Sequence, residues 1–165
     1  MIVVVMGVSG CGKTTVGQAL AEAVGWPFLD ADDFHPRANV EKMRAGAPLT
    51  DDDRWPWLDR LTAELTAINA RGGNAVLGCS ALKQAYRDRL ARAGDVRIVY
   101  LKGDRATIEP RITARAGHYM PPALLTSQFA ALEEPANAIV VDIRLSAAEQ
   151  VAAIRDALCL ASPAP

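Results

Sequence analysis

Residues 1–15 read MIVVVMGVSGCGKTT, an unbroken apolar run followed by a glycine-rich turn and a lysine. A continuous run of Val and Ile is typical of a strand that is covered on both faces of a parallel sheet. Residues 7–14 match the pattern G-x-x-x-x-G-K-[ST], and the residues after them have the apolar spacing of a helix. The sequence therefore predicts a buried strand, a tight loop and a helix in succession.

The loop between this strand and this helix has the composition of a phosphate-binding loop. Glycine adopts, at little cost, the backbone conformations that turn successive N–H groups inward, and the helix start adds the positive end of its dipole. In this pattern Lys13 reaches the β- and γ-phosphates, and the Thr14 hydroxyl is a ligand of Mg²⁺. An ordinary glycine-rich turn is the alternative, but chance produces the pattern in roughly one chain in a hundred or fewer. The predicted nucleotide-binding residues of the loop are Gly7, Ser9, Gly10, Cys11, Gly12, Lys13, Thr14 and Thr15.

Length and composition limit what the rest of the chain can do. Its 165 residues suffice for one domain with a core and are too few for two ordinary domains. A formal net charge of −1 gives no indication of nucleic-acid binding, and no apolar run approaches the ~20 residues of a membrane span. The three cysteines are an odd number without metal-ligand spacing. We therefore expect a single cytoplasmic domain, residues 1–165, with reduced thiols.

Short apolar runs alternate with helical patterns along the whole chain. This alternation predicts an α/β fold in three layers, with helices on both faces of a parallel sheet. The expected strands are residues 2–6, 27–30, 75–79, 96–101 and 139–143. The expected helices are residues 14–24, 35–45, 50–71, 81–92, 107–115, 122–132 and 147–160.

The residues after the third strand help to separate the classes of nucleotide-binding protein. A GTPase would show the guanine-reading run N-K-x-D, which this sequence lacks, and a motor-type ATPase would end a hydrophobic strand in an acidic pair. Residues 76–83 instead read VLGCSALK, without a carboxylate. A kinase that acts on a small molecule needs a carboxylate near the γ-phosphate to orient the acceptor hydroxyl.

Carboxylates of that kind follow the second strand, in FLDADDFHP at residues 28–36. Asp30 and Asp32 are two residues apart, so they share one face if the strand continues, at the sheet edge where the loop lies. We predict that Asp32 accepts the substrate proton and that Asp30 is linked to Mg²⁺, and the reverse assignment stays open. The alternative is a solvated acidic turn that caps the next helix, a role that suits Asp33.

Several blocks of the sequence together resemble the small P-loop gluconate kinases. They are the phosphate loop, FLDADDFHP, APLTDDDRWPWL (47–58), CSALKQAYRDRL (79–90), YLKGD (100–104) and QFAALEEP (128–135). This family is similar to shikimate and adenylate kinases, with a five-stranded parallel sheet and a mobile lid, here at about residues 111–127. The resemblance implies transfer of the γ-phosphate of ATP, with Mg²⁺, to the 6-hydroxyl of D-gluconate, by an enzyme that is commonly a homodimer. Another small-molecule kinase, acting on shikimate or a nucleotide, and a non-catalytic nucleotide-binding regulator are the alternatives.

Gluconate carries a carboxylate and many hydroxyls, so its site needs a cation and short polar groups. Arg54 is suited to bind a carboxylate with two parallel hydrogen bonds. The alternative is that it neutralises the aspartates at 51–53. We expect those aspartates to cap the long helix. Lys83 and Arg87 are four residues apart, so we expect them on one helix face, as substrate ligands or as a solvated pair. The predicted substrate ligands are Asp32, His35, Arg54, Ser80, Lys83 and Arg87.

Two arginines precede the irregular stretch AGHYMP at residues 116–121. Arginines on a lid stabilise the transferring phosphoryl group as its charge spreads. We predict that Arg115 contacts the phosphates and that Arg111 lies near the adenine or the phosphates, with solvated surface positions as the alternative. The predicted catalytic residues are therefore Lys13, Asp32 and Arg115.

Overall fold

A computed structural model of the protein describes residues 1–113 and 122–161. Five parallel strands form one sheet in the order β2-β3-β1-β4-β5. The strands are β1 (Ile2–Met6), β2 (Phe28–Asp30), β3 (Ala75–Gly78), β4 (Val96–Lys102) and β5 (Ile139–Asp142). The predicted α/β fold with a five-stranded parallel sheet is thus confirmed.

Seven helices lie between and after the strands in the described ranges. They are α1 (Lys13–Val24), α2 (Arg37–Arg44), α3 (Asp51–Ala70), α4 (Gln84–Ala91), α5 (Arg105–Thr113), α6 (Pro122–Ala131) and α7 (Ala147–Leu158). A short 3-10 helix, Ala31–Phe34, follows β2 directly. Within residues 1–113 and 122–161, no helix is long and apolar enough to cross a membrane.

Two helices begin two or three residues later than the sequence predicts. The helix expected from residue 81 begins at Gln84, because Ala81 adopts a positive φ of 42° and Lys83 is an extended N-cap residue. The helix expected from residue 35 begins at Arg37, because His35 and Pro36 are extended after the 3-10 helix. The segment between β3 and α4 is therefore an irregular loop at the carboxyl edge of the sheet.

Strand β1 is the centre of the core, and all five of its side chains are 0% exposed. Val3 and Val5 pack with apolar side chains of α1 and α7 on one face of the sheet. Ile2, Val4 and Met6 pack with side chains of α3 and α4 on the other face. Full burial of such a side chain contributes about 1.5–3 kcal/mol, so the strand before the loop is firmly held.

The start of α3 is fixed by a capping box. The Thr50 hydroxyl accepts a hydrogen bond from the Asp53 N–H, and the Asp53 carboxylate accepts from the Thr50 N–H at 2.7 Å. Lys42 donates to the same carboxylate at 2.6 Å. Lys42 and, less strongly, Thr50 lower the pKa of Asp53 to about 2. Of the aspartates at 51–53, at least two of which we expected to cap this helix, Asp53 does so by hydrogen bonds, whereas Asp51 accepts from Lys83.

The three cysteines are free thiols in three different environments. Cys11 in the loop and Cys79 after β3 are each 1% exposed, and burial raises the pKa of both thiols, that of Cys79 to about 12. Cys159 is exposed and follows α7 with a positive φ of 53°. The two buried thiols are therefore poor nucleophiles.

Candidate active site

The loop after β1 adopts backbone conformations that only glycine reaches easily. Gly7, Gly10 and Gly12 have φ values of 145°, 80° and 107°. A Cβ atom on Gly7 would lie 2.8 Å from the Cys11 sulfur and 3.0 Å from the Leu101 carbonyl oxygen, so a side chain does not fit there. Helix α1 begins directly after Gly12 without a side-chain cap. Its first N–H groups therefore have no side-chain cap, which is the arrangement that the predicted anion site requires.

A cavity of about 90 Å³ lies over this loop, and we refer to it as the loop cavity. Its walls come from the loop, the end of β2 and the end of β3, because the carboxyl ends of parallel strands meet at one edge of the sheet. The lining residues are Ser9, Gly10, Gly12, Lys13, Thr14, Asp30, Asp32, Gly78, Cys79 and Ser80. The Lys13 ammonium lies 3.1 Å from the carbonyl oxygens of both Gly7 and Val8.

Asp30 and Asp32 are placed differently at this edge. The Asp30 carboxylate accepts a hydrogen bond from the Asp32 N–H at 3.1 Å and so begins the 3-10 helix. Asp30 lines the loop cavity, whereas Asp32 lines both this cavity and a larger one beside it. The Asp32 side chain is 81% exposed. Thr14 and Asp30 both line the loop cavity and carry oxygen atoms, the ligands that Mg²⁺ prefers.

No cluster of three or more His, Cys, Asp or Glu side chains that could hold a metal ion exists within the described ranges. Magnesium in nucleotide sites is usually held by one or two protein oxygens together with phosphates and water. The donor set of Thr14 and Asp30 fits that arrangement.

The larger cavity, the outer cavity, has a volume of about 430 Å³ and extends from the loop towards α2 and α3. Five of the six predicted substrate ligands line it: Asp32, His35, Arg54, Ser80 and Lys83. The apolar part of its lining includes Met43, Pro48 and Leu49. The structure therefore brings most of the predicted acceptor site together, although these residues are up to 51 positions apart in the chain (Asp32 to Lys83).

Arg54 is held at the wall of the outer cavity by backbone and ring contacts. One guanidinium nitrogen donates to the Leu49 carbonyl oxygen at 2.7 Å and to the Tyr86 hydroxyl at 3.3 Å. The guanidinium carbon lies 5.6 Å from the centre of the Tyr86 ring. Within the described ranges, Arg54 forms no ion pair within 4.0 Å. Arg54 therefore makes no direct ion pair with the aspartates of 51–53, but its charge lowers the pKa of Asp51, less strongly than the hydrogen bonds from Lys83 and Tyr86 do.

Lys83 forms the ion pair that the sequence did not predict. Its ammonium donates to both carboxylate oxygens of Asp51 at 2.8 Å, and the Tyr86 hydroxyl donates to one of them at 2.6 Å. Lys83 and then Tyr86 lower the pKa of Asp51, while burial and then Asp51 raise the pKa of Tyr86. The three side chains form a polar cluster on the cavity wall, with net charge near zero.

The prediction that Arg87 binds the substrate is wrong. Arg87 is 3% exposed and does not line the outer cavity. Its guanidinium donates to the carbonyl oxygens of Ala81, Leu82 and Glu133 at 2.8–3.0 Å. Lys83 precedes α4, so the two residues do not share a helix face. Arg87 instead fixes the irregular loop between β3 and α4, because it satisfies carbonyl groups that no helix or strand satisfies.

His35 is enclosed, with a side chain that is 4% exposed. Its ring stacks on the Trp57 ring at a centroid distance of 4.2 Å and an interplanar angle of 14°. Burial and, less strongly, the Arg54 charge lower the pKa of His35 to about 4. The imidazole is therefore neutral near pH 7 and takes no part as a cation.

The predicted lid arginines lie at or beyond the limit of the described ranges. Arg111, in the last turn of α5, donates to the Ile143 carbonyl oxygen at 2.9 Å. This contact places Arg111 against the loop after β5. Arg115 and the rest of 114–121 lie outside the described residues, so its predicted contact with the phosphates stays a prediction.

Sequence reasoning missed three residues of the site: Asp51, Tyr86 and Gln128. Gln128 of α6 accepts a hydrogen bond from the Ser9 N–H at 2.6 Å and lines the outer cavity. All three lie inside sequence blocks that resemble the gluconate kinases. No local sequence pattern predicts that Gln128 contacts a loop 119 positions earlier. In the sequence, only its place in the block at residues 128–135 indicates a role in the site.

Comparisons with known proteins agree with this geometry. A family model described as an AAA domain matches residues 2–137. The chain is 51% identical over 136 residues to the gluconokinase of Gluconobacter oxydans (strain 621H), covering 81% of this chain and 76% of the relative. It is 44% identical over 178 residues to a probable gluconokinase of Mus musculus, covering 95% and 97%.

A solved structure supports the same relationship. The crystal structure of a gluconokinase from Sinorhizobium meliloti 1021 matches with a TM-score of 0.86 and 42% identity, covering 95% of this chain and 90% of that one. The similarity therefore extends over the sheet, the loop and both cavities. The chain belongs to the gluconokinase family of P-loop kinases.

Proposed function

We propose that this protein transfers the γ-phosphoryl group of ATP to the 6-hydroxyl of D-gluconate, which yields 6-phospho-D-gluconate and ADP. The names of the relatives support the substrate, and one observation supports the reaction. Four residues line the loop cavity and the outer cavity at once: Ser9, Lys13, Asp32 and Ser80. A phosphate in the loop cavity and a hydroxyl in the outer cavity therefore meet at a shared wall.

The donor side of the reaction rests on the loop. The loop N–H groups and Lys13 hold the β- and γ-phosphates and stabilise the charge that develops on them during transfer. Magnesium, held by Thr14 and Asp30, supplies further positive charge at the phosphates when it is bound. In this proposal Arg115 contacts the transferring phosphoryl group, and Arg111 lies near the adenine or the phosphates.

Asp32 acts on the acceptor side. Its carboxylate takes the proton of the attacking hydroxyl while the new O–P bond forms and the bond from phosphorus to the ADP oxygen breaks. Arg54 binds the gluconate carboxylate, because its guanidinium faces the outer cavity and has no carboxylate partner among the described residues. His35, Ser80 and Lys83 contact the hydroxyls. The family resemblance also supports a cytoplasmic homodimer.

An assay of ADP release over a panel of acceptors tests this proposal. Purified protein with Mg²⁺ and ATP receives gluconate, glucose, shikimate or a nucleoside monophosphate in parallel. We expect gluconate to give the highest kcat/KM and a product phosphorylated at the 6-position by ³¹P NMR. A higher kcat/KM with shikimate or the nucleotide would identify a different small-molecule kinase. ADP release with none of the acceptors would favour a nucleotide-binding regulator.

A further inference from the structure

The orientation of one buried amide next to His35 is fixed by its surroundings. Asn39 of α2 is 5% exposed, and its amide nitrogen lies 2.8 Å from the carbonyl oxygen of Asp53. A backbone carbonyl oxygen only accepts hydrogen bonds, so the atom facing it must be the amide nitrogen and not the amide oxygen. The Asn39 side chain therefore cannot be flipped without placing two oxygen atoms against each other.

The same amide nitrogen fixes the protonation of the histidine ring. It lies 3.4 Å from Nδ1 of His35 and has only hydrogens to offer. Nδ1 must then be the unprotonated, accepting nitrogen. A neutral imidazole carries one N–H, so the proton of His35 is on Nε2.

The protonated nitrogen faces the proposed base. Nε2 of His35 lies 3.8 Å from a carboxylate oxygen of Asp32. This distance is too long for a direct hydrogen bond, but it lets a single oxygen atom lie within hydrogen-bond distance of both groups. Two charged groups lie close enough to act on the His35 ring: Asp32 from the 3-10 helix and Arg54 from α3. The Asp53 carboxylate instead accepts hydrogen bonds from Lys42 and Thr50.

We propose that Asn39 is a positioning residue, which holds His35 as the Nε2–H tautomer so that this N–H donates to the acceptor hydroxyl beside Asp32. The role of the hydroxyl rests on the proposed function. In this tautomer the Nε2–H of His35 donates to a lone pair of the acceptor hydroxyl. The hydroxyl O–H is then available to donate to the Asp32 carboxylate. The opposite tautomer would present a lone pair at Nε2, which competes with Asp32 for that proton.

Trp57 makes the arrangement rigid. Its indole N–H donates to the Ala31 carbonyl oxygen at 2.8 Å, and its ring stacks on His35. Ala31 is the residue before Asp32 in the 3-10 helix. The ring of His35 and the backbone that carries Asp32 are thus held by one side chain, so their separation is defined.

Long-range ¹H–¹⁵N correlation spectra of ¹⁵N-labelled protein measure the tautomer directly, without any substrate. The chain has two histidines, and a His35→Gln variant assigns the signals of the other. We expect His35 to show the Nε2–H pattern at pH 7. A pattern of Nδ1–H for His35 in the wild-type protein would overturn the proposal, whether or not any variant folds.

The Asn39→Asp variant reverses the donor. Its carboxylate accepts from Nδ1–H, so we expect the His35 signals to change to the Nδ1–H pattern and kcat to fall on the order of tenfold or more, with the KM for ATP unchanged. Asn69→Asp is the matched control, because Asn69 also donates to a backbone carbonyl at 2.8 Å, that of Ala93, and lines neither cavity. Retention of the Nε2–H pattern and of kcat in Asn39→Asp would also overturn the proposal.

The proposed function and the positioning role of Asn39 are tested by different measurements. Protein that shows the Nε2–H pattern but does not phosphorylate gluconate would contradict the proposed function and leave the role of Asn39 in fixing the ring intact. Protein that phosphorylates gluconate but shows the Nδ1–H pattern would contradict the positioning role alone.

Discussion

The backbone N–H of Ser9 donates to the side-chain oxygen of Gln128 at 2.6 Å, which joins the loop after β1 to α6. Ser9 lines both cavities and Gln128 lines the outer one. This hydrogen bond therefore lies where a phosphoryl group must pass between donor and acceptor.

We expect Gln128→Leu to lower kcat/KM for gluconate about tenfold, because an amide hydrogen bond that positions the loop is lost and a donor is removed from the cavity wall. Steady-state kinetics measure the change. Gln18→Leu, on the exposed side of α1, is the control for the same change of side chain and should keep wild-type kinetics. Equal kinetics of the two variants would show that Gln128 has no role in transfer.

Asp32→Asn should keep ATP binding and lose turnover by on the order of 10²–10⁴-fold, as expected for a positioned general base. The amide has nearly the same shape as the carboxylate but does not accept the hydroxyl proton. Calorimetry with ATP and single-turnover kinetics separate binding from transfer. Asp30→Asn is the paired variant, and a much larger loss of turnover in that protein would mean that the two aspartates have the opposite roles.

Arg54→Ala should raise the KM for gluconate roughly ten- to a hundredfold, since a lost bidentate bond to a carboxylate costs about 1.5–3 kcal/mol. The KM for ATP should stay the same, and discrimination between gluconate and glucose should fall. Arg60→Ala, further along α3 and outside the outer cavity, is the control. If the gluconate KM is unchanged in folded Arg54→Ala protein, the carboxylate ligand must be sought at Lys83.

Arg87→Met should lower the free energy of unfolding by about 2–5 kcal/mol, because the carbonyl oxygens of Ala81 and Glu133 lose the Arg87 donor and that of Leu82 keeps only the Glu133 N–H. Urea unfolding followed by circular dichroism measures this loss. The exposed Arg92 provides a control, as Arg92→Met removes the same charge outside the loop. A wild-type unfolding curve for Arg87→Met would contradict the structural role that we assign to this residue.

The Asp53 carboxylate should make stability depend on acidity. Its pKa in the folded protein is about 2, below the ordinary value of 3.8, because Lys42 and Thr50 donate to it. A lowered pKa stabilises the folded state above pH ~4, and this contribution is lost as the pH falls from about 4 towards 2. Unfolding curves of wild-type and Asp53→Asn protein should therefore converge over that window. Lys42→Met removes the main donor to Asp53, so its free energy of unfolding should differ less from that of Asp53→Asn than the wild-type value does. If the difference in free energy of unfolding between wild-type and Asp53→Asn protein stays constant down to pH 2, the role of Asp53 is contradicted.

Much of the fold could be predicted because its signals are local. The run of β1 and the glycines and lysine after it are contiguous, so the strand, the loop and the helix follow from spacing alone. The start of α4 could not be predicted, because Ala81 adopts a positive φ that its residue type does not suggest. Arg87 shows the same limit: helical spacing predicts a shared face with Lys83, but the partner that determines its position is the Glu133 carbonyl, 46 positions away.

The site was predicted best where chemistry restricts the choice of residue. The carboxylate of Asp32 after β2 and the cation of Arg54 in the first turn of α3 both line the outer cavity, as we expected. Asp51, Tyr86 and Gln128 were missed because their roles come from long-range hydrogen bonds. A tyrosine that donates to an aspartate 35 positions earlier has no signature within its own helix.

The contrast between the buried Cys11 and Cys79 and the exposed Cys159 has a practical use. A maleimide dye should attach to Cys159 alone under mild conditions, because the other two thiols are enclosed and resist ionisation. Cys159 follows α7, away from both cavities, so labelling leaves the ligand sites untouched. The native chain thus carries its own single attachment point for fluorescence anisotropy or for immobilisation on a sensor surface, without the removal of any cysteine.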